Sequence, residues 1–292
     1  MITIGGLAIV MISVVMGYVL HHGNLMVLYQ PTELLIIGGA ALGALIASST
    51  PNLLKHLIVE TKEAFFGNGI SKEKYIQLLQ CMNEIFRLAT QNPLAIEKHV
   101  EEPENSEIFK KYPLLLKDHH AMDFLCNTLS LLVSGNIPPY DLDDLLEQDI
   151  QALHREEAQV PATLNRLSDA LPGLGIVAAV LGVVITMGKL TQGKEVIGQS
   201  VAAALVGTFL GILLCYGIFQ PVAAKVQTSL DEKGDFLLVI KAGLIAHCKG
   251  SRPAVSLEFT RRNIPPQFRP SFKELEAAIS PTSAASSSIK AA

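Results

Sequence analysis

Four stretches of this chain, residues 4–20, 34–50, 171–188 and 201–221, contain no Asp, Glu, Lys, Arg or His. Each is roughly 17–21 residues long, about what a helix needs to cross a ~30 Å hydrocarbon core. One such stretch could be a buried core helix, but four argue against a soluble globule. Composition agrees: only 17% of the residues are charged, against about 25% in ordinary soluble domains, and mean hydropathy is +0.37. An apolar share of 49% excludes disorder over most of the chain. The glycines follow no triplet period and the four cysteines are scattered, so neither a collagen-like nor a disulfide-stapled fold is indicated. A net charge of −4 argues against a nucleic-acid partner. The solvent that this sequence asks for is a lipid bilayer.

The first stretch has no basic segment ahead of it, and His21-His22-Gly23-Asn24 is a poor cleavage site, so it reads as an uncleaved span rather than a signal peptide. Of the 23 Lys and Arg residues, 11 fall in residues 51–170 and 10 in 222–292; the turn before Pro31 has none. Lys189 and Lys194 complete the count. Basic residues favour the cytoplasmic side, so both long segments and both termini are expected in the cytoplasm, with two short turns outside.

The long segments are patterned. Tyr75, Leu78, Leu79, Met82, Ile85 and Phe86 recur at helical spacing within residues 71–88. Residues 123–133, 141–153 and 236–245 repeat the pattern, while Asn92-Pro93, Glu102-Pro103 and Gly135-Asn136-Ile137-Pro138-Pro139 are turn chemistry. No alternating strand pattern of useful length occurs. The expected fold is therefore all-α: a polytopic membrane protein with four transmembrane helices and a helical cytoplasmic domain. Its spans are read at residues 1–20, 32–50, 171–188 and 200–221, with outer turns at 21–31 and 189–199. The cytoplasmic domain is read at 51–170, a helical cytoplasmic tail at 222–279 and a disordered Ala/Ser-rich end at 280–292.

An ionisable residue inside a membrane is the usual mark of an ion pathway. These four stretches have none, so either nothing is conducted or the titrating group belongs to another polypeptide. They are rich instead in small residues, with Gly39/Gly43 and Gly207/Gly211 at four-residue spacing and Gly173, Gly175, Gly182 and Gly188 in the third. Small residues let helix backbones approach closely, either within one subunit or against a partner chain.

The third and fourth stretches, Leu171-Pro-Gly-Leu-Gly-Ile-Val-Ala-Ala-Val-Leu-Gly-Val-Val184 and Ala204-Leu-Val-Gly-Thr-Phe-Leu-Gly-Ile-Leu-Leu-Cys-Tyr-Gly-Ile-Phe-Gln-Pro221, resemble the MotA family of flagellar stator subunits. That family is grouped with the energy-coupling subunits ExbB and TolQ as proton channels. The resemblance extends through Leu28-Tyr-Gln-Pro-Thr-Glu-Leu-Leu-Ile-Ile-Gly-Gly39, Ser106-Glu-Ile-Phe-Lys-Lys-Tyr-Pro113 and Arg269-Pro-Ser-Phe-Lys-Glu-Leu-Glu276, nearly the whole chain. It implies a pentameric ring around a dimer of MotB, in the bacterial inner membrane. Each MotB would supply the proton-accepting Asp and a peptidoglycan anchor, and the cytoplasmic domain would push on FliG of the rotor.

Carried over residue by residue, the resemblance assigns an ion path and torque coupling to Pro172, Ala179, Thr208, Tyr216 and Pro221. Each has a plainer reading beside it. Pro172 is also what a helix start favours, and Pro221 would kink a helix by its missing N–H. Thr208 could bond back to the carbonyl four residues earlier, and Tyr216 could be an interfacial anchor. Sodium-driven relatives carry Thr at the position of Ala179, and the methyl groups of Ala178-Ala179 imply protons instead. The family's acidic rotor contact matches Glu97. Its basic contact falls at the uncharged Thr90-Gln91, with Arg87 one helical turn away as a substitute.

The acidic run Glu101, Glu102, Glu104 and Glu107 reads as a solvated face. The histidines show no metal spacing and the cysteines form no CxxC, so no metal is implied. No phosphate-cradling loop or nucleophile–base pair occurs, and neither a cofactor nor an enzymatic activity is implied. An ExbB- or TolQ-type energiser is opposed by the span count and the 269–276 segment. A secondary transporter would need a helix broken at a polar site, and only prolines at span ends offer breaks.

Overall fold

The structure, a computed structural model, describes residues 2–279 apart from 68, 136, 189, 190 and 192. The end expected to be disordered and Lys189 lie outside the described residues. The fold is all-α: 86% of it is helical, and no strand occurs among the described residues. In chain order the helices are α1 (Ile2–Leu20), α2 (Leu25–Leu28), α3 (Pro31–Ser48), α4 (Pro51–Phe66), α5 (Lys72–Gln91), α6 (Glu97–Glu101) and α7 (Pro113–Leu116). Then follow α8 (His119–Ser134), α9 (Pro139–Glu157), α10 (Gln159–Met187), α11 (Lys194–Leu214), α12 (Gln220–Cys248), α13 (Pro253–Asn263) and α14 (Phe272–Ile279). A π-helical turn, Cys215–Phe219, links α11 to α12. Four helical runs, one around each charge-free stretch, are long and apolar enough to cross a membrane. The chain divides into two compact units.

The first unit comprises residues 1–68 and 155–230. Its centre is the antiparallel pair α10–α11, with α3 against it. Ile37 and Ala41 of α3 meet Leu171, Ala178 and Cys215 in one apolar cluster. A second cluster joins Val160 and Leu164 of α10 to Ala223, Val226 and Leu230 of α12, flanked by Leu53 and Leu57 of α4. Helix starts follow from local chemistry. Proline opens α3 and α4, where its missing N–H leaves nothing unsatisfied, and the Thr50 hydroxyl caps α4 by accepting from Leu53 N at 3.3 Å. Helix α1, apolar all round, buries none of its residues within a single chain.

The second unit comprises residues 69–154 and 231–292, and its core is the larger. The stripe read from the sequence is its centre: Tyr75, Leu78, Leu79, Met82, Ile85 and Phe86 are all buried, packed with Phe236, Val239 and Ile240 of α12. Asp118 caps α8, accepting from Ala121 N at 3.1 Å, and pairs with the buried Lys74 at 2.5 Å. Burial pushes the Asp118 carboxyl up. The adjacent Lys74 ammonium and the Ala121 N–H outweigh it and hold the group below the ordinary carboxylate range. Lys74 also lies 4.8 Å from the Phe236 ring centre. Lys241 bridges Asp143 and Glu147 at 2.8 Å each, tying α12 to α9. Segment 269–276 resolves into a reciprocal cap on α14. Ser271 N donates to Glu274 Oε2 at 2.7 Å, and Glu274 N donates to Ser271 Oγ at 3.2 Å.

Candidate functional site

Glycine builds the site by what it omits. A methyl group added at Gly175 would stand 2.8 Å from the Gly207 carbonyl oxygen and 3.1 Å from Gly211 Cα. One added at Gly211 would stand 2.6 Å from the Leu171 carbonyl oxygen, and one at Gly182 would stand 2.7 Å from Ala204 Cβ. Helices α10 and α11 therefore touch backbone to backbone along their length. The Gly207/Gly211 pair packs within one subunit, whereas a methyl group added at Gly39 or Gly43 would meet no other part of the described chain within 4 Å.

Two of the candidate ion-path residues come together on this seam. A methyl group at Gly207 would lie 3.2 Å from Ala178 Cβ and 3.4 Å from Ala179 N, so Ala179 and Thr208 stand on adjoining turns of facing helices. Ala178 is fully buried and Ala179 half-buried. Thr208 is half-buried, and its hydroxyl makes no bond to the preceding turn among the described residues. Thr186, by contrast, donates to the Gly182 carbonyl at 2.8 Å. Tyr216 is 62% exposed on the π turn, which sets its ring outward.

Pro172 is placed differently from its plainer reading, whereas Pro221 distorts its helix as its missing N–H implies. Pro172 does not start a helix: α10 begins at Gln159 and runs through it. Without an N–H at Pro172, the Ser168 carbonyl loses its partner four residues on. The fully buried Ser168 hydroxyl crosses to α11 and the π turn, donating to the Cys215 carbonyl at 3.1 Å, with Cys215 Sγ at 3.3 Å. That carbonyl also accepts from Gln220 N, five residues on. Pro221 follows at the second residue of α12 and cannot donate to Gly217, so the helix widens into a π turn and resumes. The Ser168–Cys215 bond thus ties the turn weakened by Pro172 to the first residue of the π turn that precedes Pro221.

Sequence reasoning missed three features: Ser168, the π turn and, above all, Glu33. Glu33 lies one residue before the charge-free stretch 34–50, though inside the span read at 32–50. Glu33 is the third residue of α3, only 7% exposed, and its Oε2 has no hydrogen-bond partner. A methyl group at Gly207 would stand 2.7 Å from that oxygen. The four charge-free stretches stand as read, but Glu33, one residue before the second, packs its carboxyl group against Gly207 of the fourth. Pro31 and the apolar run after Glu33 were the available signal.

In the second unit Arg87 is exposed on α5 and Glu97 exposed at the start of α6. Glu101, Glu102, Glu104 and Glu107 are all exposed, as a solvated face should be.

A helical membrane protein with a glycine-sealed helix pair is the class these features define, and comparison with known proteins narrows it. Residues 4–93 match the motility protein A N-terminal model, and residues 117–235 match that of the MotA/TolQ/ExbB proton channel family. Motility protein A of Salmonella typhimurium is 36% identical over 278 residues, covering 94% of each chain. Motility protein A of Escherichia coli is 35% identical with the same coverage, and chemotaxis protein LafT of Vibrio parahaemolyticus is 34% identical over 93% of this chain and 95% of its own. Among solved structures, MotAB of C. jejuni superposes with a TM-score of 0.76 at 21% identity, over 92% of this chain and 98% of that one. The flagellar MotAB stator complex of Bacillus subtilis gives 0.73 at 22%, over 91% and 96%. The chain belongs to the motility protein A family.

Proposed function

We propose that this chain is the membrane subunit of a flagellar stator, acting with a MotB partner in the bacterial inner membrane to turn proton flow into torque on the rotor. The α10–α11 pair carries the reading. It sets the Ala179 backbone against Gly207, the neighbour of Thr208, along a wall of small residues, and bonds Ser168, one turn before Pro172, to Cys215 at the π turn that leads into Pro221. MotB appears beside MotA in the related complexes, which supports it as the partner here.

The finer features belong to the same reading. A pentameric ring around a MotB dimer is supported by the apolar face that α10 leaves exposed in a single chain, including Ile176, Val177, Val180 and Val184. Both termini lie in the cytoplasm by the distribution of basic residues, and Glu97 with Arg87 meets FliG. Tyr216 anchors the span by its exposed ring, and the role asks no covalent chemistry of this chain. Ala178-Ala179 offers no oxygen to a dehydrated cation, whereas a proton needs only water and a carboxyl group.

The test is complementation. A strain stripped of its own stator genes should swim when given this chain with its MotB partner, and stay immotile with either alone. Absence of motility with both present, at normal membrane levels, would overturn the proposal.

A further inference from the structure

We infer that Glu33 is a proton-carrying carboxyl group built into the wall of the ion path by this chain itself. The inference rests on the proton-driven reading above. Three observations converge on it. Glu33 is more than nine-tenths buried and Oε2 has no partner, although buried polar groups are nearly always paired. Oε2 sits where residue 207 carries no side chain: a methyl group there would stand 2.7 Å from it, so in this position the carboxyl group packs against bare glycine backbone. And Gly207 immediately precedes Thr208 and touches Ala178 and the Ala179 backbone, which puts the carboxyl group at the level of the candidate ion-path residues.

A plain helix-capping role does not account for it. An acid at the third position of a helix normally turns back to the N–H of the capping residue. Here the Gln30 N–H donates to the Leu28 carbonyl at 3.1 Å, and Gln30 makes no side-chain cap. Nor does packing ask for a carboxyl group in an apolar layer, where an ionisable residue is costly.

The step is a balanced proton relay. A proton leaves hydronium, giving water, and forms an O–H bond on the Glu33 carboxylate. That bond then breaks as the proton passes through water to the partner's carboxylate, and Glu33 returns to its starting form. No other reactant is consumed.

The complex is tested in cells lacking their own stator. Glu33→Gln keeps the shape and removes the proton site. At equal membrane abundance it should slow rotation about threefold or more and flatten the dependence of speed on external pH. Glu33→Asp, still titratable, should stay within about twofold of the unaltered speed with its pH profile displaced. Rotation by the Gln variant matching the unaltered complex in speed and pH profile would overturn the assignment. If the Gln variant fails to accumulate, the Asp variant decides: a displaced profile supports the relay, and an unchanged profile or a uniform fall at every pH overturns it. Rotation of the unaltered complex that survives a protonophore overturns the proton reading and this inference together. Protonophore-sensitive rotation with an indifferent Gln variant overturns the Glu33 assignment alone.

Discussion

At the scale of single residues, the account makes claims about space and charge. Gly175 has backbone on its open side, so Gly175→Val must push α10 off α11. Overpacking of this kind costs about 1–3 kcal/mol. The detergent-purified chain should melt several degrees lower, while Gly173→Ala, in open space, should leave its melting near that of the unaltered chain. Equal melting of the two variants would show that the seam has slack. Asp118 makes a different claim. Asp118→Ala strands the buried Lys74 and removes the cap of α8, for a loss of about 3 kcal/mol in denaturant unfolding; a loss near zero would contradict the role given to the pair. Asp118 is held below its ordinary range, and Glu258, hydrogen-bonded by Arg261 and then Arg262, is held at about 2. Depressed carboxyl groups lend stability above their unfolded pKa, near pH 4, and lose it as pH falls through the folded values. The unfolding midpoint should be flat near neutrality and fall steeply below about pH 4, more shallowly in Asp118→Ala. A midpoint as steep in the variant as in the unaltered chain would remove Asp118 from the explanation.

At the scale of elements, the two prolines sit where a helix has lost a backbone hydrogen bond, at Ser168 and at Gly217. Pro172→Ala and Pro221→Ala each restore one donor and stiffen a point through which motion must pass. Both variants should assemble at normal levels and turn the rotor poorly. Normal swimming by both would reduce the prolines to packing features. The helices themselves were legible in the sequence wherever one face is buried against water-facing surroundings: the Tyr75–Phe86 stripe needed only its spacing. The spans were legible from absent charge, because a bilayer admits little else. The plainer reading of Pro172 as a helix start fails because apolar content marks where lipid begins, not where hydrogen bonding begins, and α10 starts at Gln159. The π turn had no signal of its own beyond Pro221. The residues around Glu33 mark it as near the start of a span, but its burial against Gly207, more than 170 residues along the chain, is a tertiary fact that no local window contains.

At the scale of the whole molecule, the coupling ion is what the site must select. A sodium ion leaving water needs several oxygen ligands, and residues 171–188 of α10 offer only the Thr186 hydroxyl, already donated to Gly182. Thr208 and carboxyl groups would have to supply the rest. A buried ion so poorly compensated costs several kcal/mol, at ~1.4 kcal/mol per tenfold in occupancy. Protons need no such cage. The deciding measurement is rotation speed in cells driven solely by this chain and its MotB partner, with external sodium replaced by potassium at constant ionic strength and then with a protonophore added. The account predicts a speed indifferent to sodium that collapses with the protonophore; a speed that rises with sodium and survives the protonophore would contradict it.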